Sequence, residues 1–156
     1  MTHSSPSSDP AALRHEMSGL DYLHAMLRGE APAARMAETM NVRLHSVAEG
    51  RVTFRGVPLA QHCNPFGAVH GGWYGALLDS ALGCAVMSGL RKGAHYTTLE
   101  FKVNITRALP LGVEAEALAI LQHGGRSTAV AAAELRGVED GRLYATGSTT
   151  CIIMAG

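Results

Sequence analysis

Residues Trp73 to Leu90 (WYGALLDSALGCAVMSGL) form an 18-residue run that carries one charge, Asp79. Length and polarity alone would pass a crude membrane-span filter. Asp79 near the middle, glycines at 75, 83 and 89, and the lack of a second span or of anchoring flanks argue against a bilayer. A helix that is apolar nearly all round is instead a helix buried in a protein core, so the rest of the chain has to wrap it. With 156 residues, 47% of them hydrophobic, there is material for one such core and little for a second.

The C-terminal half supplies the wrapping. Leu99, Phe101, Val103 and Ile105 alternate with Glu100, Lys102, Asn104 and Thr106, the period of a half-buried strand. Val113 to Gln122, Ser127 to Arg136 and Arg142 to Met154 follow as three more strand-length segments, separated by His123-Gly124-Gly125 and Glu139-Asp140-Gly141, both hairpin turns by composition. The alanine-rich segment from Thr128 to Glu134 has helix propensity, yet the glycine pair before it and the turn after it set a hairpin length. Upstream of the helix, Val42, Leu44, Val52 and Phe54 flank the turn at Glu49-Gly50 and predict a first hairpin. The reading is an α+β fold in which a mainly antiparallel, curved sheet of about six strands wraps one long helix.

Further upstream, Ser18 and Asp21 fit a capping box, and Leu20, Leu23 and Leu27 share a face until Gly29, which predicts a short helix lying on the larger body. Ala31 to Met40 is a further helical turn or a linker. Residues 1–17 mix Ser, Pro, His and small residues without period and are expected to be a mobile arm, leaving a single domain over 18–156.

Thirteen Lys and Arg balance thirteen Asp and Glu, so there is no global field to hold nucleic acid, although a local basic patch for a small phosphorylated ligand stays open. Cys63, Cys84 and Cys151 form an odd set without metal-ligand spacing, and the start MTHSSPSSDP lacks the positive and apolar regions of a signal peptide. A soluble protein of a reducing, cytoplasmic compartment is expected, with no membrane partner.

The residues that suggest chemistry lie where the loop Gln61 to Gly67 enters the helix: Asn64-Pro65-Phe66-Gly67-Ala68-Val69-His70-Gly71-Gly72, then Asp79. Gly71 and Gly72 at a helix start offer unpaired backbone N–H groups at the positive end of the dipole, where a carbonyl oxygen gaining negative charge would be stabilised. Glycine there also lets a bulky substrate reach the backbone. At about 1.5 Å per residue, Asp79 is roughly 12 Å from Gly71, too far for both to act on one carbonyl. A second copy of the helix, antiparallel beside the first, brings them together, and a two-fold axis makes two such sites. Each residue also has a plain structural reading. His70 suits an interior histidine bonded to backbone, Asp79 a carboxylate capping a helix, Gly71-Gly72 a tight turn, and Asn64 an Asx turn before proline. Trp73 and Tyr74 read as packing residues, and Cys63 beside His62 as a neutral thiol without a placed base.

The order of elements and the string NPFGAVHGG…LLDSALG resemble the hotdog-fold acyl-CoA thioesterases of the phenylacetate-degradation (PaaI-like) group, from about Leu20 to Met154, including VNITRALPLG and the hairpin at His123 to Arg126. The resemblance implies that Gly71 N–H polarises a thioester carbonyl and that Asp79 of a partner subunit acts as nucleophile or as general base toward water. It gives Asn64 the attacking water or the thioester, His70 the orientation of the loop or the thioester group, and Thr97 or Thr98 a role in positioning water. Gly72 and Phe66 border the substrate, and Arg107, Arg126, Lys102 and Arg91 are the candidates for the phosphates of coenzyme A. It implies an acyl-CoA substrate, aromatic or medium-chain, a dimer or dimer of dimers, and neither metal nor redox cofactor. Two competitors have other chemistry: a hydratase or dehydratase on the same fold, and a non-catalytic acyl-CoA-binding module.

Overall fold

In the computed structural model, residues 15–155 are described; of the expected N-terminal arm only residues 15–17 fall within them. Ser18 caps helix α1 (Gly19–Leu27), accepting from the Asp21 N–H at 3.1 Å while donating to the Asp21 carboxylate at 2.6 Å. Half of the segment from Ala31 to Met40 is a single short helix, α2 (Arg35–Thr39). Strands β1 (Val42–Ala48) and β2 (Arg51–Gly56) form the first hairpin around Gly50, whose φ of 70° is the left-handed conformation that glycine adopts without strain. The long helix, α3, runs from Gly71 to Ser88. Strands β3 (His95–Ile105), β4 (Ala115–Gly124), β5 (Thr128–Gly137) and β6 (Leu143–Met154) complete the chain.

The six strands make one sheet in the order β1-β2-β4-β5-β6-β3, every neighbouring pair antiparallel. Helix α3 touches all six. Strands about 4.8 Å apart make a sheet more than twice as wide as a helix of about 10 Å, so contact with every strand requires the sheet to curl around it. Small side chains at its centre let the helix come close. Ala117, Ala119, Ala131, Ala133 and Ala145 are buried there, and a Cβ on Gly147 would lie 3.3 Å from Leu82. This is why an alanine-rich segment serves as β5: Ala129, Ala131, Ala133 and Leu135 point inward at period two, and packing against the helix overrides the alanine preference.

One strand departs from its expected pattern. A bulge between Thr98 and Glu100 takes Leu99 out of the alternation with Phe101, Val103 and Ile105, so the inward set becomes Tyr96, Thr98, Phe101, Val103 and Ile105. Nor is this strand well covered: Leu99, Phe101 and Ile105 are 59%, 45% and 47% exposed. β3 lies at the open edge of the sheet, paired on one side only, to β6.

The N-terminal end of α3 is tied down by two side chains. The Trp73 indole N–H donates to the Met40 carbonyl at 2.9 Å, and the Tyr74 hydroxyl accepts from the buried Leu109 N–H at 2.7 Å. Both residues are packing residues, as expected. At the other end α1 docks on α3: Gly19 N–H donates to the Leu90 carbonyl at 3.0 Å, and a Cβ at Gly19 would sit 1.8 Å from the Met87 carbonyl oxygen. Because Tyr74→Phe leaves the Leu109 N–H without an acceptor in the interior, it is expected to lower the free energy of unfolding by about 1–3 kcal/mol, read from urea denaturation at constant m-value.

Candidate active site

His70 is the N-cap of α3. Its backbone is extended, and its exposed ring accepts the Gly72 N–H on Nδ1 at 2.8 Å. The interior-histidine reading is thereby replaced by a cap on the helix mouth. The cap also separates the two glycines. Gly72 has spent its amide on His70, whereas the Gly71 N–H, one residue nearer the helix end, has no acceptor among the described residues. A helix leaves its first amides without internal partners, so Gly71 presents a free donor at the positive end of the dipole.

The preceding loop holds itself in shape through Asn64. Its Oδ1 accepts from Phe66 N–H at 3.0 Å and Ala68 N–H at 3.1 Å, while its own backbone N–H donates to the Ala68 carbonyl at 2.8 Å. The Asx-turn reading is therefore right for the oxygen, and the side-chain amide is the end left to donate. Phe66, at the loop tip, is 94% exposed. Cys63 sits at the loop base, bridged to Val69 across it.

Asp79 occupies a stripe of small residues on α3 that faces β3. Cβ atoms built on Gly71 and Gly75 would meet Ile105 at 3.5 Å and Phe101 at 3.5 Å, and one on Gly83 would collide with the Tyr96 hydroxyl at 2.5 Å. Positions 71, 75, 79 and 83 follow one another at four-residue spacing, so Asp79 replaces a glycine between Phe101 and Tyr96. Its Oδ1 is buried without a hydrogen-bond partner. Burial raises its pKa above the ordinary carboxylate range. The same pocket of low polarity pushes the Cys84 thiol up to about 12, with the Asp79 charge adding to the effect of burial, and it raises the Tyr96 phenol as well. Cys84 and Tyr96 are neighbours of the carboxylate that the sequence reading missed. The signal was Gly83, four residues after Asp79, which marks a close approach from a strand.

The other candidates fall into groups. Thr98 is on the inner face of β3, its hydroxyl 3.9 Å from the Cys151 thiol, which itself feels the Asp79 charge. Thr97 lies on the opposite, exposed face. Arg91 and Arg126 line the same cleft of about 500 Å³ beyond the C-terminal end of α3. Arg107 belongs elsewhere, following Ile105 near the start of α3 and close enough to Asp140 to help hold that carboxyl low, behind the larger effects of hydrogen bonds from Tyr144 and from the Arg142 N–H. Lys102 is exposed on β3. The structure thus brings together two of the four basic candidates and separates the rest. Among the described residues no group of three His, Cys, Asp or Glu side chains is placed to hold a metal, and no helix is long and apolar enough to cross a membrane.

Comparison with known proteins places this arrangement in a family. Residues 66–144 match the model of the thioesterase superfamily. A phenylacetic acid degradation-related protein from Ralstonia eutropha shares 33% identity, with 84% of this chain and 98% of that one covered at a TM-score of 0.77. A mutant of the phenylacetic acid degradation protein PaaI from Thermus thermophilus is 27% identical, with coverage of 76% and 98% and a TM-score of 0.70. A hypothetical thioesterase protein from Streptococcus pneumoniae, solved with coenzyme A, has the same fold at 24% identity, 74% and 87% coverage and a TM-score of 0.67. Among curated protein sequences none matches the chain. The chain belongs to the thioesterase superfamily, in its PaaI-like group, with the hotdog fold expected from the resemblance, and it is a thioester hydrolase.

The buried carboxylate has a consequence for stability. A carboxyl whose pKa is raised by folding weakens the fold as pH rises from the unfolded-chain value through the folded one, and has no such effect below the unfolded value. Asp79→Asn removes this charging cost. Its Tm by scanning calorimetry is expected to exceed that of the wild type at neutral pH, with the gap closing on acidification into the ordinary carboxylate range.

Proposed function

We propose that the protein hydrolyses an acyl-CoA to free acid and coenzyme A at a site shared by two antiparallel copies of α3. The observation that carries this reading is the pair of complementary vacant groups on one helix: a free Gly71 N–H at its start and, eight residues on, the buried and unpartnered Asp79 Oδ1. At roughly 12 Å apart they serve different carbonyls within one chain, whereas an antiparallel copy sets each against the other's partner. The exposed apolar side chains and unpaired edge of β3, beside the glycine stripe, fit a face covered by a second copy. A dimer of dimers follows from the resemblance.

In this reading the thioester carbonyl oxygen sits on the Gly71 N–H, with the Asn64 side-chain amide as a second donor. The partner subunit's Asp79 either takes a proton from water as the water oxygen bonds to the carbonyl carbon, or bonds to that carbon itself and is released by water in a second step. Either way the C–S bond breaks, the electron pair leaves with sulfur, and the thiolate collects the proton. The raised pKa of Asp79 suits it to proton transfer better than an ordinary exposed carboxylate. A thioester is already activated, so one oxyanion donor, one carboxylate and a held water are enough machinery. Thr98, on the inner face near Asp79, is the better placed threonine to hold that water. Phe66 borders the entrance, and Arg91 with Arg126 is the pair offered to the phosphates of coenzyme A, the molecule bound by the Streptococcus pneumoniae protein. Three free thiols support a reducing, cytoplasmic compartment.

Thiol release from a panel of aromatic and straight-chain acyl-CoAs tests the reading. Asp79→Asn is expected to lower kcat by about 100-fold to 10,000-fold with the fold intact. Gly71→Pro removes the backbone donor: proline is accepted at the first helical position, and His70 before it already has the extended ψ of 139° that a following proline requires. Loss of the amide is expected to cost about 100-fold to 1,000-fold in kcat. No thiol release from any acyl-CoA by the wild type, or near-full activity in Asp79→Asn, would contradict the proposal.

A further inference from the structure

A cavity of about 450 Å³ opens between α1, the segment that follows it, the C-terminal half of α3 and the start of β3. Its inner wall includes Cys84 and Tyr96, the two residues whose ionisation feels the charge of Asp79. Its outer walls include Tyr22 and Met26 from α1, with Met87 and Leu90 from the end of α3. Cys84 lies five residues past Asp79 on α3, and Tyr96 packs against Gly83, four residues past it. The cavity thus starts about 8 Å along the helix from Asp79 and extends away from it to Leu90, eleven residues and roughly 16 Å from Asp79. Resting on the thioesterase reading above, we infer that this cavity receives the acyl group of the substrate, that α1 is its selecting wall, and that the acyl group is an uncharged, flexible, medium-length straight chain.

Three features of the lining support that class. Among the described residues the lining has no Asp, Glu, Lys or Arg side chain and a single histidine, His95, so a cationic acyl group would lose its hydration without a partner and a carboxylated one would find only that imidazole. The volume lies within the range of small-molecule sites. Methionines at 17, 26 and 87 give walls with adjustable shape, which accommodate a chain of many rotamers better than they fix a planar ring. The wall formed by α1 is held rigidly where it meets α3, through the Gly19 N–H to Leu90 carbonyl bond and the close contact of Gly19 with the Met87 backbone. A helix clamped there and lining the cavity with Tyr22 and Met26 sets the room left for the chain.

The test compares kcat/KM for acetyl-, butanoyl-, octanoyl-, dodecanoyl- and phenylacetyl-CoA in the wild type, Met26→Trp and Met26→Ala, with release of free coenzyme A as the readout. Each buried methylene is expected to raise kcat/KM by about fourfold, so the wild type should favour octanoyl over acetyl by at least ~100-fold. Met26→Trp should cut the octanoyl-to-acetyl ratio by about tenfold or more, and Met26→Ala should shift the preference toward dodecanoyl. The opposite directions matter, because a variant that merely folds badly lowers all substrates together. Hydrolysis with a ratio that neither variant moves, or a wild type that prefers phenylacetyl and treats octanoyl like acetyl, overturns this assignment alone. Absence of thiol release from every acyl-CoA by the wild type overturns the thioesterase reading and this assignment with it.

Discussion

Burying an eighteen-residue helix on nearly every side is the constraint that organises this molecule. A flat sheet covers one face of a helix, so a helix apolar all round demands a sheet that curls, and a sheet that curls closely needs small residues at the line of contact. Ala117, Ala131, Ala145 and Gly147 meet that demand from three different strands. The helix is also the connection that carries the chain from β2 to β3 at the far edge of the sheet. The same demand explains why the N-terminus of α3 is so firmly placed. Trp73 and Tyr74 carry polar tips into the interior, and each finds a backbone partner there, which fixes the direction in which the Gly71 amide points.

On such a helix a carboxylate is out of place energetically. Asp79 stands where the spacing of Gly71, Gly75 and Gly83 would put another small residue, between the glycines that face Phe101 and Tyr96, and one of its oxygens has no donor. Natural sequences tolerate a desolvated charge of this kind chiefly where function requires it. The proposed dimer accounts for both the uncovered side of β3 and the carboxylate: a second copy of the chain would cover the apolar edge and bring its own helix N-terminus to the buried acid.

Much of this was legible in the sequence, because the signals were those of period and spacing. The charge-poor run gave the helix and the alternation gave the strands, while Asn64, His70, Gly71 and Asp79 marked the candidate site. What stayed hidden depended on contacts between elements. The bulge that removes Leu99 from its expected face has no local signature in Thr98-Leu99-Glu100. That His70 would claim the Gly72 amide and spare that of Gly71 is decided by the angle at which the loop enters α3. The basic candidates could not be sorted from sequence, because Arg91 and Arg126 meet only after β4 and β5 pair. Cys84 and Tyr96 belong to no motif; their place near Asp79 is a product of the helix packing on β3.

In the proposed dimer, each site draws its oxyanion donor from one chain and its carboxylate from another. Subunit complementation tests it most directly: purified Asp79→Asn and Gly71→Pro proteins are mixed, unfolded and refolded together, and assayed for thiol release beside each variant alone. Random pairing makes about half of the dimers mixed, and each mixed dimer has one intact site and one doubly altered site, so the mixture is expected to recover about a quarter of wild-type activity. A mixture no more active than the two variants alone, with mixed dimers shown to form, would mean that both groups serve the reaction within a single chain and would contradict the account.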